Sequence, residues 1–219
     1  MTKKDALHCL AQKRKNAQWH GYSGIADFHS GVYECDHVSP YTKTAGNLSA
    51  DVFVMLQDWC SSDFLNGPIS HDSIKYGHTV ANFTNHNLKD LLHRHFGLKL
   101  SQTYGTNLFP FIKLGPMNAD IPQRLMDRAA IEYGLPQIEI IKPKLVICFG
   151  KTTFNALRNA VGVQRVPSVD EGIQRPFTFR GTTIWLQAHT GMLGQNNRNK
   201  GGINRVDTDW QKMARSVSI

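Results

Sequence analysis

Three short segments of the chain are dominated by apolar, β-branched and aromatic residues and are bounded by polar ones. They cover residues 52–56, 145–149 and 182–188. Segments of this length and composition are typical of strands that are buried on both faces, as in a parallel sheet. We therefore predict three central strands, the first of which ends at Gln57-Asp58.

A fourth apolar segment, residues 103–112, is interrupted by Pro110. Proline has no N–H to donate to a neighbouring strand, so this strand should end there or lie at an edge of the sheet.

Between the strands, apolar residues recur at helical spacing. This spacing predicts helices over residues 4–19, 82–96, 121–133 and 207–216, and another that starts at Lys151. We place helix ends at Gly97 and Gly134, because glycine readily adopts the left-handed conformation that ends many helices. The remaining polar stretches are predicted to be loops, over residues 61–81, 162–181 (with a short extended piece) and 194–204, and irregular structure over 21–49.

Strands that alternate with helices indicate an α/β fold, a three-layer α/β/α sandwich with a mostly parallel central sheet. We expect residues 49–219 to form this one domain and residues 1–48 to be an N-terminal extension packed on it. In open sheets of this class, ligands bind beyond the carboxyl ends of the strands. A functional site should therefore lie at that edge.

Composition narrows the class of protein. Hydrophobic residues make up 41% of the 219 residues and charged residues 19%, which is typical of a folded chain. The formal net charge of +8 favours a polyanionic partner, nucleic acid first, although basic proteins without one are common. No apolar stretch reaches the length of a membrane span, and the first residues lack the apolar core of a signal peptide. We expect an intracellular protein, in the cytoplasm or nucleoid if the source is a bacterium, with no membrane partner.

The four cysteines are too far apart in the sequence to form a CxxC pair. A zinc ribbon or an ordinary cluster site is therefore not predicted, and disulfides are not expected in an intracellular protein. Cys148 lies inside an apolar segment and reads as a small core residue.

Three polar residues fall at or near the carboxyl ends of predicted strands, namely Asp58, Asn107 and His189. A carboxylate can orient water or stabilise a cation, an amide can read the edge of a base, and a neutral imidazole can donate to a developing anion. This set suits cleavage of a bond between a sugar and a nucleobase, with a cation-like sugar and an anionic leaving group. Each residue also has an ordinary alternative: Asp58 as a helix cap, Asn107 as a turn residue and His189 as a strand-end residue bound by backbone groups.

Several motifs stand in the order and spacing of a known family. They are Gln57-Asp58-Trp59-Cys60, Thr106-Asn107, the lysine- and proline-led strand Lys142–Gly150, His189-Thr-Gly-Met-Leu-Gly194 and Asp209-Trp210. Over about residues 48–213 the chain resembles the uracil-DNA glycosylase superfamily. The first motif is similar to that family's Gly-Gln-Asp-Pro-Tyr, and the motif at His189 stands where the family has His-Pro-Ser-Pro-Leu-Ser.

The resemblance implies roles for the residues around the base. Asp58 would position water and stabilise the cationic sugar, and His189 would donate to O2 of the leaving base. The backbone at Gln57 would contact the base, and Asn107 would read O4 and N3 of uracil. Phe64 is our choice for the aromatic that stacks on the flipped base, with Tyr76 and Phe83 as rivals.

The resemblance also implies contacts with the rest of the DNA. Leu193, with help from Met192, would wedge into the base stack as the target flips out. Arg198, Lys200 and Arg205 would contact phosphates. The ordinary alternatives are that Leu193 is a core residue and that the basic residues belong to a solvated loop.

Departures from the family pattern qualify the expected specificity. Cys60 occupies the position of the tyrosine that excludes thymine in the best-known class, so the smaller side chain puts strict uracil selectivity in doubt. Leu56 replaces a glycine before Gln57. The cluster cysteines of the thermostable class are not matched, because Phe111 and Ile112 fall where one is expected. We therefore predict no iron–sulfur cluster, metal or other cofactor.

Together these observations predict a monomeric, monofunctional DNA glycosylase of base excision repair. It would flip out a damaged base, uracil first, from single- or double-stranded DNA and leave an abasic site. One alternative is a DNA- or RNA-binding protein that keeps the fold without catalysis. Another is a glycosylase or hydrolase that acts on a different base or a free nucleoside. Residues 1–48 could be a DNA clamp, a lid or only packing.

Overall fold

A computed structural model describes residues 1–219 and shows an α/β fold around one five-stranded sheet. The strands are β1 (Val52–Asp58), β2 (Tyr104–Phe109), β3 (Leu145–Phe149), β4 (Phe177–Phe179) and β5 (Thr182–Gln187). Their order in the sheet is β2-β1-β3-β5-β4, and every neighbouring pair is parallel except β4 and β5. The predicted mostly parallel sheet is confirmed. Strand β2 lies at one edge and ends just before Pro110, as a residue without an N–H requires.

Helices cover both faces of the sheet. They are α1 (Lys3–Asn16), α2 (Ser62–Leu65), α3 (His71–Tyr76), α4 (Phe83–Phe96), α5 (Gln123–Ala129), α6 (Leu135–Ile141), α7 (Lys151–Ala160), α8 (Val169–Gln174), α9 (Met192–Arg198) and α10 (Arg205–Arg215). Successive residues of β1 point to opposite faces. Phe53 and Met55 join the core that includes residues of α5 to α8, whereas Val54 joins the core formed with α4 and α10. One core lies on each face of the sheet, between the sheet and a layer of helices, which gives the three layers of the predicted sandwich.

The helix after β2 is longer than the sequence pattern indicates. Helices α5 and α6 are continuous through a π-helical turn, Ala130–Gly134, so the predicted helix end at Gly134 is wrong. Glycine is needed there for close packing, because a Cβ atom would lie 2.6 Å from a methyl group of Leu108. The helix ends instead at Lys142, which adopts the left-handed conformation.

Three predicted loops contain short helices. Helices α2 and α3 lie within 61–81, α8 within 162–181, and α9 extends into the first part of the segment assigned to a loop from Gly194. The serines before α3 and α8 accept backbone N–H groups with their side chains, which supports helices too short to show apolar periodicity. The extended piece within 162–181 is β4, the antiparallel edge strand.

The N-terminal extension shares the main core. Leu7, Trp19 and Val38 belong to the same apolar cluster as Phe53 of β1. Apart from α1, this part contains three short 3₁₀ turns and isolated β-bridges, and one of the turns, Pro40–Lys43, packs against β2. No helix in the structure is both long and apolar enough to cross a membrane.

Candidate functional site

A cavity of about 260 Å³ opens beyond the carboxyl ends of β1, β2 and β5. Asp58 ends β1, Asn107 lies near the end of β2, and His189 follows β5 by two residues. All three line the cavity, together with the predicted base-binding residues Gln57, Cys60 and Phe64. Parallel strands place their carboxyl ends at one edge, so residues far apart in the sequence meet there.

The Asp58 carboxylate makes an ion pair inside this cavity. Its Oδ2 lies 2.9 Å from Nζ of Lys113, and the two side chains are only 8% and 5% exposed. The side-chain amide of Gln57 donates to the other oxygen, Oδ1, at 3.2 Å. Burial raises the pKa of the Asp58 carboxyl above its usual value, and the Lys113 ammonium opposes that rise. Asp58 caps no helix, because Ser61 is the N-cap residue of α2.

Lys113 is a site residue that the sequence reasoning missed. It lies just past the apolar segment that ends β2, and its backbone bridges to the loop after β1: its N–H donates to the Cys60 carbonyl, and its own carbonyl accepts from Ser62. Its ammonium also donates to the backbone carbonyl of Met117. The only signal in the sequence was a lone lysine next to the carboxyl end of a predicted strand.

Both polar atoms of the Asn107 side chain have partners. Nδ2 donates to the backbone carbonyl of Asp58 at 2.7 Å, and Oδ1 accepts from the Ser39 hydroxyl at 2.6 Å. Asn107 and Ser39 are buried. A side-chain amide has two N–H groups and two lone pairs, so one donor and one acceptor remain for a ligand.

His189 is held in one tautomer. Its Nδ1 accepts the backbone N–H of Gly191 at 3.0 Å, so the neutral ring carries its proton on Nε2. Part of the residue is open to solvent, yet desolvation by the surrounding protein lowers the pKa of the imidazole; Asp58 raises it and Lys113 lowers it further. At pH 7 the ring is therefore a neutral donor through Nε2.

Helix α4 supports the loop that carries His189. The Thr190 hydroxyl donates to the Thr84 carbonyl at 2.9 Å, and the side-chain amide of Asn87 donates to the Thr190 carbonyl at 2.8 Å. Position 191 requires a glycine, because two side chains lie close to its backbone. A Cβ atom there would lie 2.9 Å from Nδ1 of His189 and 3.0 Å from the Thr84 hydroxyl.

The residues expected to shape the base pocket differ in their surroundings. Phe64 and its rivals Tyr76 and Phe83 are all exposed, but of the three only Phe64 lines the cavity. Cys60 is buried in the wall, and burial raises the pKa of its thiol to about 12. The thiol therefore stays protonated and acts as a small apolar group at neutral pH.

The predicted wedge residues project from the start of α9. Met192 is 58% exposed and Leu193 is 75% exposed, so Leu193 is not a core residue. Lys200 and Arg205 are exposed on the following segment.

Arg198, which the resemblance assigns to a phosphate contact, is held by ion pairs within the protein. Its guanidinium makes a two-pronged ion pair with Asp209, at 2.6 and 3.1 Å, and also binds Asp170. The arginine side chain is 10% exposed, and two carboxylates already neutralise its charge. It joins α9 to α10 and α8, so a phosphate contact would require these ion pairs to open.

A second polar wall of the cavity was also missed by the sequence reasoning. Tyr41 donates its hydroxyl proton to Oδ1 of Asn85 at 3.1 Å, and Nδ2 of Asn85 donates to the Thr79 carbonyl at 2.8 Å. His78 stands beside the Tyr41 ring, with 5.2 Å between ring centroids. These residues come from the N-terminal extension and from the α3–α4 region, where no periodicity indicated a shared surface.

The structure contains no group of three or more His, Cys, Asp or Glu side chains that could hold a metal ion. All four cysteines are free. The sequence matches no protein-family model, and comparison with curated proteins gives no significant match. The assignment of a function therefore depends on the chemistry of the cavity.

Proposed function

We propose that the protein is a DNA glycosylase that flips a damaged base, with uracil as the first candidate, into this cavity and hydrolyses its N-glycosidic bond. The observation that carries the proposal is the meeting of Asp58, Asn107 and His189 in one cavity, with His189 fixed as a neutral Nε2–H donor. The net charge of +8 supports a nucleic-acid partner. In the proposal the protein acts as a monomer.

Each group matches one demand of the reaction. Cleavage leaves positive charge on the sugar and negative charge on the departing base. The Asp58 carboxylate would stabilise the sugar cation and orient the attacking water, and a neutral His189 would donate to O2 of the base. A fixed neutral donor is suited to a developing anion, because it needs no reorganisation as the charge appears.

Lys113 supports this assignment of Asp58. A carboxyl group as buried as Asp58 tends to become protonated, and a protonated carboxyl would stabilise a cation poorly. The ammonium at 2.9 Å favours the ionised form. Uracil fits the remaining hydrogen-bonding capacity of Asn107, since its O4 accepts and its N3–H donates.

An abasic-site assay tests the proposal. Labelled single-stranded and duplex oligonucleotides with one uracil are incubated with protein in the presence of EDTA and then treated with alkali. We expect alkali-dependent cleavage by the native protein and a loss of about 10²- to 10⁴-fold in Asp58→Asn. Asp63→Asn, an exposed neighbour outside the cavity, is the matched control and should keep full activity. A loss of less than about tenfold in Asp58→Asn would count against the assigned role.

The ion pair also favours a second candidate, a nucleic-acid-binding protein without catalysis, because Lys113 already satisfies the Asp58 carboxylate. That candidate predicts salt-sensitive binding and no abasic product on any base. A panel of other damaged bases and free nucleosides separates it from a glycosylase of different specificity, which the small Cys60 side chain would permit.

A further inference from the structure

Ser39 belongs to a buried chain of hydrogen bonds that runs in one direction. The backbone N–H of Tyr41 donates to the Ser39 hydroxyl oxygen at 3.2 Å, and that hydroxyl lies 2.6 Å from Oδ1 of Asn107. At the other end, Nδ2 of Asn107 donates to the Asp58 carbonyl at 2.7 Å. A backbone N–H can only donate and a backbone carbonyl can only accept, so both ends of the chain have fixed polarity.

The direction of these hydrogen bonds fixes the orientation of the Asn107 amide, and that orientation determines which base edge the amide can bind. With Nδ2 fixed on the Asp58 carbonyl and Oδ1 on the Ser39 hydroxyl, the remaining N–H and lone pair of Asn107 keep their places. Uracil presents an acceptor at O4 and a donor at N3, whereas cytosine presents a donor at N4 and an acceptor at N3. The reversed amide would therefore suit cytosine.

We infer that Ser39 is a specificity-determining positioning residue, which holds the Asn107 amide in the orientation that accepts uracil and rejects cytosine. This inference rests on the proposed function. It also gives the N-terminal extension a part in base recognition, since Ser39 precedes the Pro40–Lys43 turn.

The competing explanation is that Ser39 only caps that turn. The two explanations predict different measurements, because a cap affects stability, whereas an orienting hydroxyl affects the choice between bases. Thr42 provides a matched control. Its buried hydroxyl belongs to the same turn but donates to the Gly105 carbonyl at 2.7 Å and not to Asn107.

The test is a binding measurement with oligonucleotides that carry either 2′-fluoro-2′-deoxyuridine or 2′-fluoro-2′-deoxycytidine at one position. The electron-withdrawing fluorine destabilises a cationic sugar, so these probes resist cleavage. We expect the native protein to bind the uracil probe more tightly. The ratio of the two Kd values should fall by roughly three- to tenfold in Ser39→Ala, the range that one net hydrogen bond supplies.

The control variants separate orientation from folding. Thr42→Val should keep the native ratio even where its melting temperature falls. Ser39→Thr, which keeps the hydroxyl, should retain the ratio, and Ser39→Cys, with a weak S–H donor, should give an intermediate one. If Ser39→Ala does not fold, the comparison of Ser39→Cys with Ser39→Thr carries the test.

The outcomes distinguish a failure of the inference about Ser39 from a failure of the proposed function. A native preference for uracil that persists in Ser39→Ala and Ser39→Cys would overturn the inference and leave the proposed function intact. A native protein that binds both probes equally would overturn the inference, whereas the absence of uracil excision by the native protein in the abasic-site assay would overturn the proposed function.

Discussion

The ammonium of Lys113 lies 2.9 Å from the carboxylate of Asp58, and the protein withdraws both side chains almost completely from solvent. The two residues come from the loop after β2 and from the end of β1, so the ion pair joins neighbouring strands at the floor of the cavity. Two charges this deep are tolerated because each compensates the other, and removal of one leaves its partner buried and unpaired.

Lys113→Met should therefore affect both stability and the pH dependence of activity. We expect the free energy of unfolding to fall by about 3 kcal/mol, as when one partner of a buried pair is removed. Loss of the ammonium also raises the pKa of Asp58 further, so the acid limb of the excision rate should move to higher pH. Urea unfolding and a pH–rate profile measure the two effects. Lys113→Arg, which keeps the charge, is the control, and an unchanged pH profile in the Met variant would refute the electrostatic role.

Stability should decline as the pH falls below about 6.5, the usual pKa of histidine. Burial lowers the folded-state pKa of His37, His78 and His189. Above pH 6.5 these rings are neutral in both states, but below it the unfolded chain takes up protons that the folded protein resists. Asp58, with a raised pKa, acts in the opposite direction only at more acidic pH.

Urea unfolding at pH 7.5, 6.5 and 5.5 checks this dependence. His78→Gln should show a smaller loss between pH 6.5 and 5.5 than the native protein. His93→Gln, a change at an exposed position of α4, is the control and should behave like the native protein. A native stability that stays constant over this range would be inconsistent with lowered pKa values of these histidines.

Alanine substitution of Arg198 should reduce stability and leave the salt dependence of DNA binding unchanged, whereas substitution of Lys200 or Arg205 should do the reverse. Arg198→Ala leaves the Asp209 carboxylate, 9% exposed, without its partner, and should cost about 3 kcal/mol of folding free energy. Lys200→Ala and Arg205→Ala should change stability by less than about 0.5 kcal/mol.

Salt titrations of DNA binding complete that comparison. Each of the Lys200 and Arg205 variants should lower the slope of log Kd against log salt by about 0.9, the value for one phosphate contact. Arg198→Ala, at a temperature where it is folded, should keep the native slope. A reduced slope in Arg198→Ala would mean that its ion pairs open to bind DNA.

Leu193→Ala should weaken action on duplex DNA without weakening the fold. The side chain is 75% exposed, so its removal should change the folding free energy by less than about 0.5 kcal/mol. A wedge offsets the cost of unstacking a base, which a single strand scarcely requires, so we expect about a tenfold loss on duplex uracil and a smaller loss on single-stranded uracil. Ile203→Ala, also exposed, is the control. Equal losses on the two substrates would argue against a wedge.

The strands and most long helices follow from the sequence because their signals are local. The apolar segment at Val52 and the periodic segment that ends at Gly97 appear in the structure with nearly the expected limits. The role of Gly134 does not follow from the local sequence, since it depends on the side chain of Leu108, which is far away in the sequence. Short helices such as α9 lie below the length at which periodicity can be recognised.

The candidate site divides in the same way. Asp58, Asn107 and His189 could be grouped from the sequence, because the carboxyl ends of parallel strands share one edge of the sheet. The residues that bind to their side chains could not be identified from the sequence. Lys113 on Asp58 and Ser39 on Asn107 lie in segments without periodicity, and only the packing of those segments brings a charge or a hydroxyl to the site. Arg198 shows the same limit, because its pairing with two carboxylates exists only in the folded protein and cannot be read from the sequence. Backbone patterning is a local property of the chain, whereas the pairing of buried charges and hydrogen bonds exists only once distant segments are packed together.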